Sequence, residues 1–326
     1  MIRLNPKLFS PEVMARHAEM LGNRVKKNLK TLKKTFDKDK VTAFRLYNLD
    51  IPEIRCVVDW YDGHIILGEY VRDQTDDESY LRILSDGLAQ TLNIPLENIH
   101  TRRRTTRPVE GDRYGRLART DERMEVSEGG LKFFVNLYDF LDVGLFTDHR
   151  KTRDIVRSLV KGKNFLNLFA YTGAFSVYAA AGGAKSVTTV DMSRRYLDWA
   201  RDNMELNDLL GSCRMEWSST EAREFLERAS MSRNYWDVIF LDPPSFSTRE
   251  GMAEFDIQFD HRSLVESALA VLTKGGVLFF STNHQRFEPD LDDMLQATVT
   301  EITDYVLPID YKGRTPHRLF QIVKDK

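Results

Sequence analysis

The densest chemistry in the chain lies at Asp242-Pro243-Pro244-Ser245-Phe246. It follows an apolar run, Trp236 to Leu241, with the length and composition of a buried strand. Two prolines fix the backbone, so the carboxylate and neighbouring carbonyl groups are held at one strand end. Asp242 can orient an acceptor and stabilise a positive centre, and Phe246 can stack on a flat base. A second carboxylate, Asp191, ends the run Ser186 to Val190, with Met192 beside it. There it can accept both hydroxyl protons of a ribose. A third run, Asn164 to Phe169, breaks at Ala170-Tyr171-Thr172-Gly173 and resumes as a helix. Strand, glycine-bearing turn and helix open a doubly wound nucleotide-binding sheet, whose ligand lies in a crevice at the carboxyl ends of the strands. Asp191 could instead cap the next helix, although Ser193 can do so and leave Asp191 free. Glu221 opens a later helix, where it either accepts from an adenine amino group or is a first-turn acid favoured by the helix dipole.

The turn discriminates between nucleotides. A dinucleotide needs G-x-G-x-x-G so that backbone can approach a pyrophosphate. Here Gly173 stands alone among Ala170, Tyr171, Thr172 and Ala174. S-adenosylmethionine (SAM) has no phosphate, so one glycine for close approach, Asn167 to hydrogen-bond and backbone groups for the methionine end suffice. Methylation of a cytosine carbon would need a thiolate. The strand ends carry no cysteine: Ser281-Thr282-Asn283 follows the fifth strand, and Cys213 enters the third. A guanine N7 lone pair is already nucleophilic and needs only in-line positioning and stabilisation of a cationic product. No His or Cys base is evident at the strand ends, which suits that chemistry, with Asp242 as orienter and stabiliser. No metal-ligand spacing is present.

These residues require a scaffold, and the pattern from Asn164 supplies one. Strands are expected at 164–169, 185–190, 214–217, 236–241 and 277–281, with helices at 174–181, 194–206, 221–229 and 259–272. That alternation means an α/β fold with a parallel sheet covered on both faces. A further helix at 291–297 and strands at 301–307 and 317–323 would add the terminal antiparallel hairpin that marks methyltransferase-type sheets. Ahead of this unit, 41–138 reads as a small α+β subdomain. Its strands are expected at 42–47, 54–60, 64–71, 98–103 and 132–137, its helix at 78–92, and a hairpin turn at Asp62-Gly63. Residues 1–40 read as a helix opened by Ser10-Pro11-Glu12. Met14, Leu21, Val25, Leu29, Leu32 and Phe36 share one of its stripes. Asp139 to Arg150 joins the subdomain to the sheet domain, 139–326, as a lid, a hinge or a plain linker.

The net charge of −2 over 326 residues hides an asymmetry. Leu21 to Lys40 carries +6 and Ile99 to Arg119 carries +5, leaving about −13 elsewhere. Two basic windows on an acidic chain suit a nucleic-acid partner. Lys26, Lys27 and Lys30 lie mostly off the helix stripe, either as a solvated face or as phosphate contacts. Arg102, Arg103, Arg104 and Arg107 crowd one strand and loop, where guanidinium groups repel unless something anionic lies across them. Two distant cysteines, Cys56 and Cys213, fit a reducing compartment. No apolar h-region and no run near eighteen apolar residues occurs, so a cytoplasmic protein without a membrane partner is expected.

Several segments resemble one family. LDVGLFTDHR (141–150), the run KGKNFLNLFAYTGAFSVYAAAGGAKSVTTVDMSRRYLDWARDNMELN (161–207) and VIFLDPPSFS (238–247) closely resemble the RlmK-type, guanine-N7 half of the fused bacterial 23S rRNA methyltransferases (RlmK/L). NRVKKNLK (23–30), FRLYNLDIPE (44–53) and GHIILGEYV (63–71) also match, so the likeness covers nearly the whole chain. It implies a class I SAM-methyltransferase core, a preceding subdomain that helps hold RNA, and 7-methylguanosine in 23S rRNA or a large-subunit precursor. By motif it makes Asn167, Phe169, Tyr171 and Gly173 the SAM loop, Asp191 the ribose acid and Glu221 the adenine-side acid. Asp242, Pro243, Pro244 and Phe246 become the acceptor side, and Asp148 and Arg150 a flanking segment that closes over SAM. Glu221 stands where Asp is commoner. The fused proteins add a guanine-N2 half with a THUMP domain, absent from this sequence. RNA capture here would then fall to the basic helix, the arginine loop or a separate partner. Other RNA atoms, guanine N2 or cytosine C5, and a non-catalytic RNA-binding or assembly role are the alternatives.

Overall fold

The computed structural model describes residues 8–104, 117–247, 254–294, 296–311 and 313–325. Two compact units result: Met1–Gly130 with Phe134–Thr147, and Leu131–Phe133 with Asp148–Lys326.

In the first unit, α1 (Pro11–Lys38) starts where the Ser10 hydroxyl accepts from the Val13 N–H. A four-stranded sheet follows, built of β1 (Ala43–Asn48), β2 (Cys56–Tyr61), β3 (His64–Tyr70) and β4 (Ile99–Arg104) in that order. Asp62 and Gly63 both take positive φ, 44° and 95°, as the tight turn between β2 and β3 requires. The helix α2 (Glu78–Leu92) carries the chain from β3 to the parallel strand β4. Leu21, Val25, Leu32 and Phe36 of α1 pack with Leu81, Leu84 and Leu88 of α2 and with the sheet residues Leu46, Val58 and Leu67. Short strands β5 (Met124–Glu128) and β6 (Leu131–Val135) pair as a hairpin.

The second unit runs α3 (Arg150–Leu159), β7 (Asn164–Leu168), α4 (Ala174–Ala181), β8 (Ser186–Val190), α5 (Arg194–Leu206), β9 (Arg214–Ser218), α6 (Ala222–Met231) and β10 (Trp236–Leu241). A two-residue pair, β11 (Phe246–Ser247) and β12 (Phe255–Asp256), precedes α7 (Ile257–Ala270), β13 (Leu272–Thr282), β14 (Ala297–Glu301), α8 (Thr303–Val306) and β15 (Arg318–Lys324). Seven strands form one sheet in the order β14-β15-β13-β10-β7-β8-β9. The five from β13 to β9 are parallel, and β14 and β15 close the edge antiparallel. This is the class I methyltransferase arrangement that the alternation predicted. Leu166, Leu168, Ile239, Leu241 and Phe280 bury one sheet face against Phe225 and Leu226 of α6 and Leu264 and Val265 of α7.

The chain end departs from expectation. Among the described residues of 291–297 there is no helix, the outer strand is 297–301, and Thr303–Val306 is a helical turn. Thr298 and Thr300 in β14 fit an edge strand through β-branching, whereas the apolar residues at 302–307 that suggested a strand anchor the turn, with Thr303 and Val306 buried. The strand β13 begins five residues early. Leu272 already pairs with Trp236, and the extra residues through Gly275, at φ 74°, bulge before Val277 pairs with Val238.

Candidate active site at the carboxyl edge of the sheet

The chain visits β8 and β9 on one side of β7, then crosses to β10 on the other, so the strand order reverses between β7 and β10. Ligands in open α/β sheets bind where the order reverses, outside the carboxyl strand ends. Register makes this specific. Leu168 is the last residue of β7 and pairs with Val190 on one side and Leu241 on the other. The next residues, Phe169, Asp191 and Asp242, therefore stand in one row at the edge. A direct bond confirms the closeness: the Tyr171 N–H donates to Asp191 Oδ2 at 2.9 Å.

The turn after β7 is held in an unusual backbone form. Phe169, Tyr171 and Gly173 all adopt positive φ, at 55°, 50° and 72°. Two aromatic residues in the left-handed region are strained and persist only where surroundings enforce them, typically at functional sites. Here Ala170 N–H bonds Val190 O, Gly173 N–H bonds Ala170 O, and Asn203, buried in α5, donates to Thr172 O at 2.9 Å. Gly173 is required for a reason the motif did not supply. A Cβ there would lie 2.5 Å from Ala200 Cβ, so its close approach is to α5.

Asp191 accepts from the backbone of Tyr171 and, at 2.8 Å, from that of Ser193. The cap of α5 falls to Ser193, not Asp191, as the ribose reading of Asp191 expected. Both of its oxygens thus brace turns, one the turn after β7 and the other the turn between β8 and α5. Met192 is half-buried beside it, and its carbonyl accepts from the Ser219 hydroxyl. Asn167 is 1% exposed and gives its amide to Ser176 Oγ at 3.0 Å, tying β7 to α4. Its side chain braces the wall at the end of β7. Glu221 is the N-cap of α6, accepting from Glu224 N–H at 3.0 Å and meeting Arg223 Nε at 3.3 Å. This sets its carboxylate at the N-terminal end of α6.

At the DPP turn, Pro243 is buried, Asp242 and Pro244 are half-buried and Phe246 is 43% exposed. Ser245 Oγ meets Asn283 Oδ1 at 2.5 Å, joining the turn to the end of β13. A cleft of about 740 Å³ opens along the ends of β13 and β15, with Asn283, His284, Tyr305, His317 and Arg318 among its walls.

Two histidines went unnoticed in the sequence. His149 Nε2 lies 3.5 Å from Asp242 Oδ2, and its ring stacks on His317 at 3.9 Å between centroids. His317 Nδ1 in turn bonds Asp148 Oδ2 at 2.9 Å. The expectation of an edge without a histidine is therefore corrected. One signal was available: β15 runs antiparallel to β13, so the residue entering β15 abuts the functional edge. Burial opposes charge on His149, but the Asp148 and Asp242 carboxylates and the hydrogen bond to Asp242 outweigh it, with Arg153 opposing, and raise its pKa above the ordinary value. Burial, then His149, lowers that of His317 against the pull of both carboxylates. Asp148, His149 and His317 bring donor atoms within 4.8 Å. A metal binds imidazole nitrogens in the ring plane, however, and two rings stacked at 22° cannot both direct theirs at one ion. Arg150 is 7% exposed and bonds Asp310 at 3.1 Å, so both Asp148 and Arg150 anchor their segment within the unit.

The basic candidates lie in the first unit. Lys26, Lys27 and Lys30 are exposed on α1. Arg102 is not available: it is 7% exposed and donates to the carbonyls of Thr101, Leu137 and Phe140. Its guanidinium serves packing in this unit. Arg103 pairs with Asp76 at 2.9 Å and Arg104 meets Asp142 at 3.9 Å. Arg107 lies outside the described residues. Among the described residues, no helix is long and apolar enough to cross a membrane.

Comparison with known proteins agrees with this geometry. Residues 55–309 match the family described as S-adenosylmethionine-dependent methyltransferase. The ribosomal RNA large subunit methyltransferase K/L of Allochromatium vinosum is 40% identical over 319 residues, covering 95% of this chain and 43% of its own. That of Pseudomonas putida GB-1 is 40% identical over 324 residues, covering 97% and 43%. The chain thus spans less than half the length of these relatives. The crystal structure of SMU.776 complexed with SAH superposes with a TM-score of 0.76 at 22% identity, covering 95% of this chain and 81% of its own. The SAM-dependent methyltransferase from Agrobacterium tumefaciens gives 0.60 at 19% identity, covering 88% and 91%. With the reversal of strand order, the strained turn and the row of carboxylates already in place, the match over most of the chain settles its kinship: it belongs to the S-adenosylmethionine-dependent methyltransferase family.

Proposed function

We propose that the chain methylates large-subunit (23S) rRNA, at guanine N7. The observation that carries this is the row formed by Phe169, Asp191 and Asp242 across the strand-order reversal, with a DPPSF turn presenting an exposed aromatic ring. The 40%-identical relatives are named for large-subunit rRNA methylation, which supports the class of acceptor.

Bound SAM supplies a methyl group made electrophilic by its sulfonium. The donor set here fits such a nucleoside: a ribose-competent carboxylate, a tight turn of backbone groups and no phosphate cradle. Asp191 accepts the ribose hydroxyls. Phe169, Tyr171, Gly173 and Met192 wall the nucleoside, Glu221 faces its adenine side, and the segment of Asp148 and Arg150 borders it. On the acceptor side Phe246 stacks on the base, and Pro243 and Pro244 hold the turn. Asp242 stabilises the positive charge that N7 acquires. N7 carries no proton, so no base is required.

Guanine N2 is the second reading, favoured by one observation. The exocyclic amine must lose a proton, and the Asp242 carboxylate, 3.5 Å from His149 Nε2, is a proton acceptor on the DPP turn. Cytosine C5 is disfavoured, because Cys213 precedes β9 at the opposite edge and burial raises its thiol pKa. RNA capture is assigned to the lysine face of α1 with Arg103, Arg104 and Arg107. A cytoplasmic setting fits that substrate. Mass spectrometry of 23S rRNA nucleosides with and without the gene tests the proposal. Loss of 7-methylguanosine is expected, and loss of N2-methylguanosine alone would replace it with the second reading. An unchanged profile together with absent SAM binding would point to a non-catalytic RNA-binding factor.

A further inference from the structure

We infer that His149 is a positioning residue for Asp242, and that the Asp148–His317 pair fixes His149 for that task. Three segments remote in sequence meet to build this arrangement: the turn before α3, the end of β10 and the entry to β15. His149 and His317 are each 4% exposed. The His149 ring is packed edge-on against Phe175 and Phe240, both at 5.7 Å between centroids, and face-on against His317. His317 cannot rotate without breaking its 2.9 Å bond to Asp148. The His149 imidazole is thus clamped on three sides, with Nε2 directed at Asp242.

A packing role alone does not explain an imidazole here. His149 Nδ1 is buried without a hydrogen-bond partner, so the fold tolerates the desolvation of a polar ring. Its ion-pair partner is Asp242, 3.5 Å from Nε2. An aromatic hydrocarbon ring would fill the same space without that cost. What only an imidazole adds is a donor to the DPP carboxylate, held at an angle the prolines alone cannot set. The charged and titratable groups facing it are Asp148, Asp242, Arg153 and His317, and their balance favours the protonated ring.

The inference rests on reading Asp242 as the carboxylate that faces the methyl acceptor, and the test separates the two. In the full chain labelled with ¹⁵N-histidine, the His149 titration should move to lower pH in Asp242→Asn. An unmoved titration overturns the inference without reference to any substrate. With tritiated SAM and unmodified 23S rRNA transcript, His149→Ala should lower kcat about 10- to 100-fold, the worth of one charge-assisted hydrogen bond. Its SAH affinity, measured by calorimetry, should stay within about twofold, since positioning acts on the acceptor side. His149→Gln, which keeps a donor in place of Nε2, should recover most of the activity. Equal losses in Ala and Gln variants, or a loss of SAH binding in step with the melting temperature, would reduce His149 to a packing residue. If Asp242→Ala is inactive while His149→Ala is fully active, only the inference fails. If Asp242→Ala keeps full activity, the reading of Asp242 fails first.

Discussion

Asp191→Ala is the most informative substitution for the cofactor side, because Asp191 braces the turn and, in the proposed function, also takes the ribose. Its oxygens accept the backbone N–H groups of Tyr171 and Ser193, at 2.9 and 2.8 Å. Tyr171 sits at φ 50°, a conformation costing on the order of 1–3 kcal/mol unless its surroundings enforce it. Removing the carboxylate leaves two donors without their charged partner, each bond worth roughly 1.5–3 kcal/mol at most. Water can reach this half-buried site and recover part of that, so a stability loss of about 2 kcal/mol is expected. The ribose contact is lost in addition, again about 1.5–3 kcal/mol, or roughly 10- to 150-fold in SAM affinity. Asp191→Asn keeps one carbonyl oxygen but turns an amide toward the other N–H, and should fall between. Titration calorimetry with SAM and SAH is the assay, run where circular dichroism shows the variant folded. Binding by folded Asp191→Ala within twofold of wild type would refute the assignment of Asp191 to the ribose.

Gly173→Ala should cost about 3 kcal/mol or more, since it combines positive φ with a 2.5 Å approach to Ala200 Cβ. Pairing it with Ala200→Gly should recover only the steric part in denaturant melts, and full recovery would show that the backbone conformation is not strained. Replacing Lys26, Lys27 and Lys30 by Ala should lower the slope of log K against log salt for RNA by about 2, with an unchanged melting temperature. Arg102→Ala should do the reverse, destabilising by about 2–3 kcal/mol while leaving the salt slope alone. A flattened slope for Arg102→Ala would show that Arg102 contacts RNA rather than serving packing alone. Burial opposes the charge on Asp139, but the N–H groups of Thr120 and Asp121, the Thr120 hydroxyl and the Asn136 amide prevail and hold its pKa at about 2. A depressed carboxylate stabilises above its unfolded value near 4 and loses that contribution as pH falls toward 2. Asp139→Asn should therefore melt lower at neutral pH and show a flatter decline between pH 4 and 2.

The local signals were strong where a property repeats along the chain. Strand and helix alternate over 164–282 with apolar runs of the right length, so the sheet, its helices and the ends at Phe169, Asp191 and Asp242 could be read directly. Ser10 and Ser193 were legible as helix caps, because capping is decided within four residues. The end of the chain was misread because a short apolar stretch at 302–307 serves an edge turn as well as a strand, and pairing decides between them.

What sequence by itself determined is the fold class, the order of the parts and the residues at each strand end, all consequences of periodicity and turn chemistry along neighbouring residues. Tertiary structure alone decided how those ends are used. It turned Asn167 and Arg102 inward, because an amide or guanidinium surrounded by acceptors is more stable buried than solvated only when every donor finds a partner. It set Gly173 against α5, and it brought His149, Asp242 and His317 together from three distant segments. Such meetings depend on strand register and burial across the sheet, which no window of sequence contains.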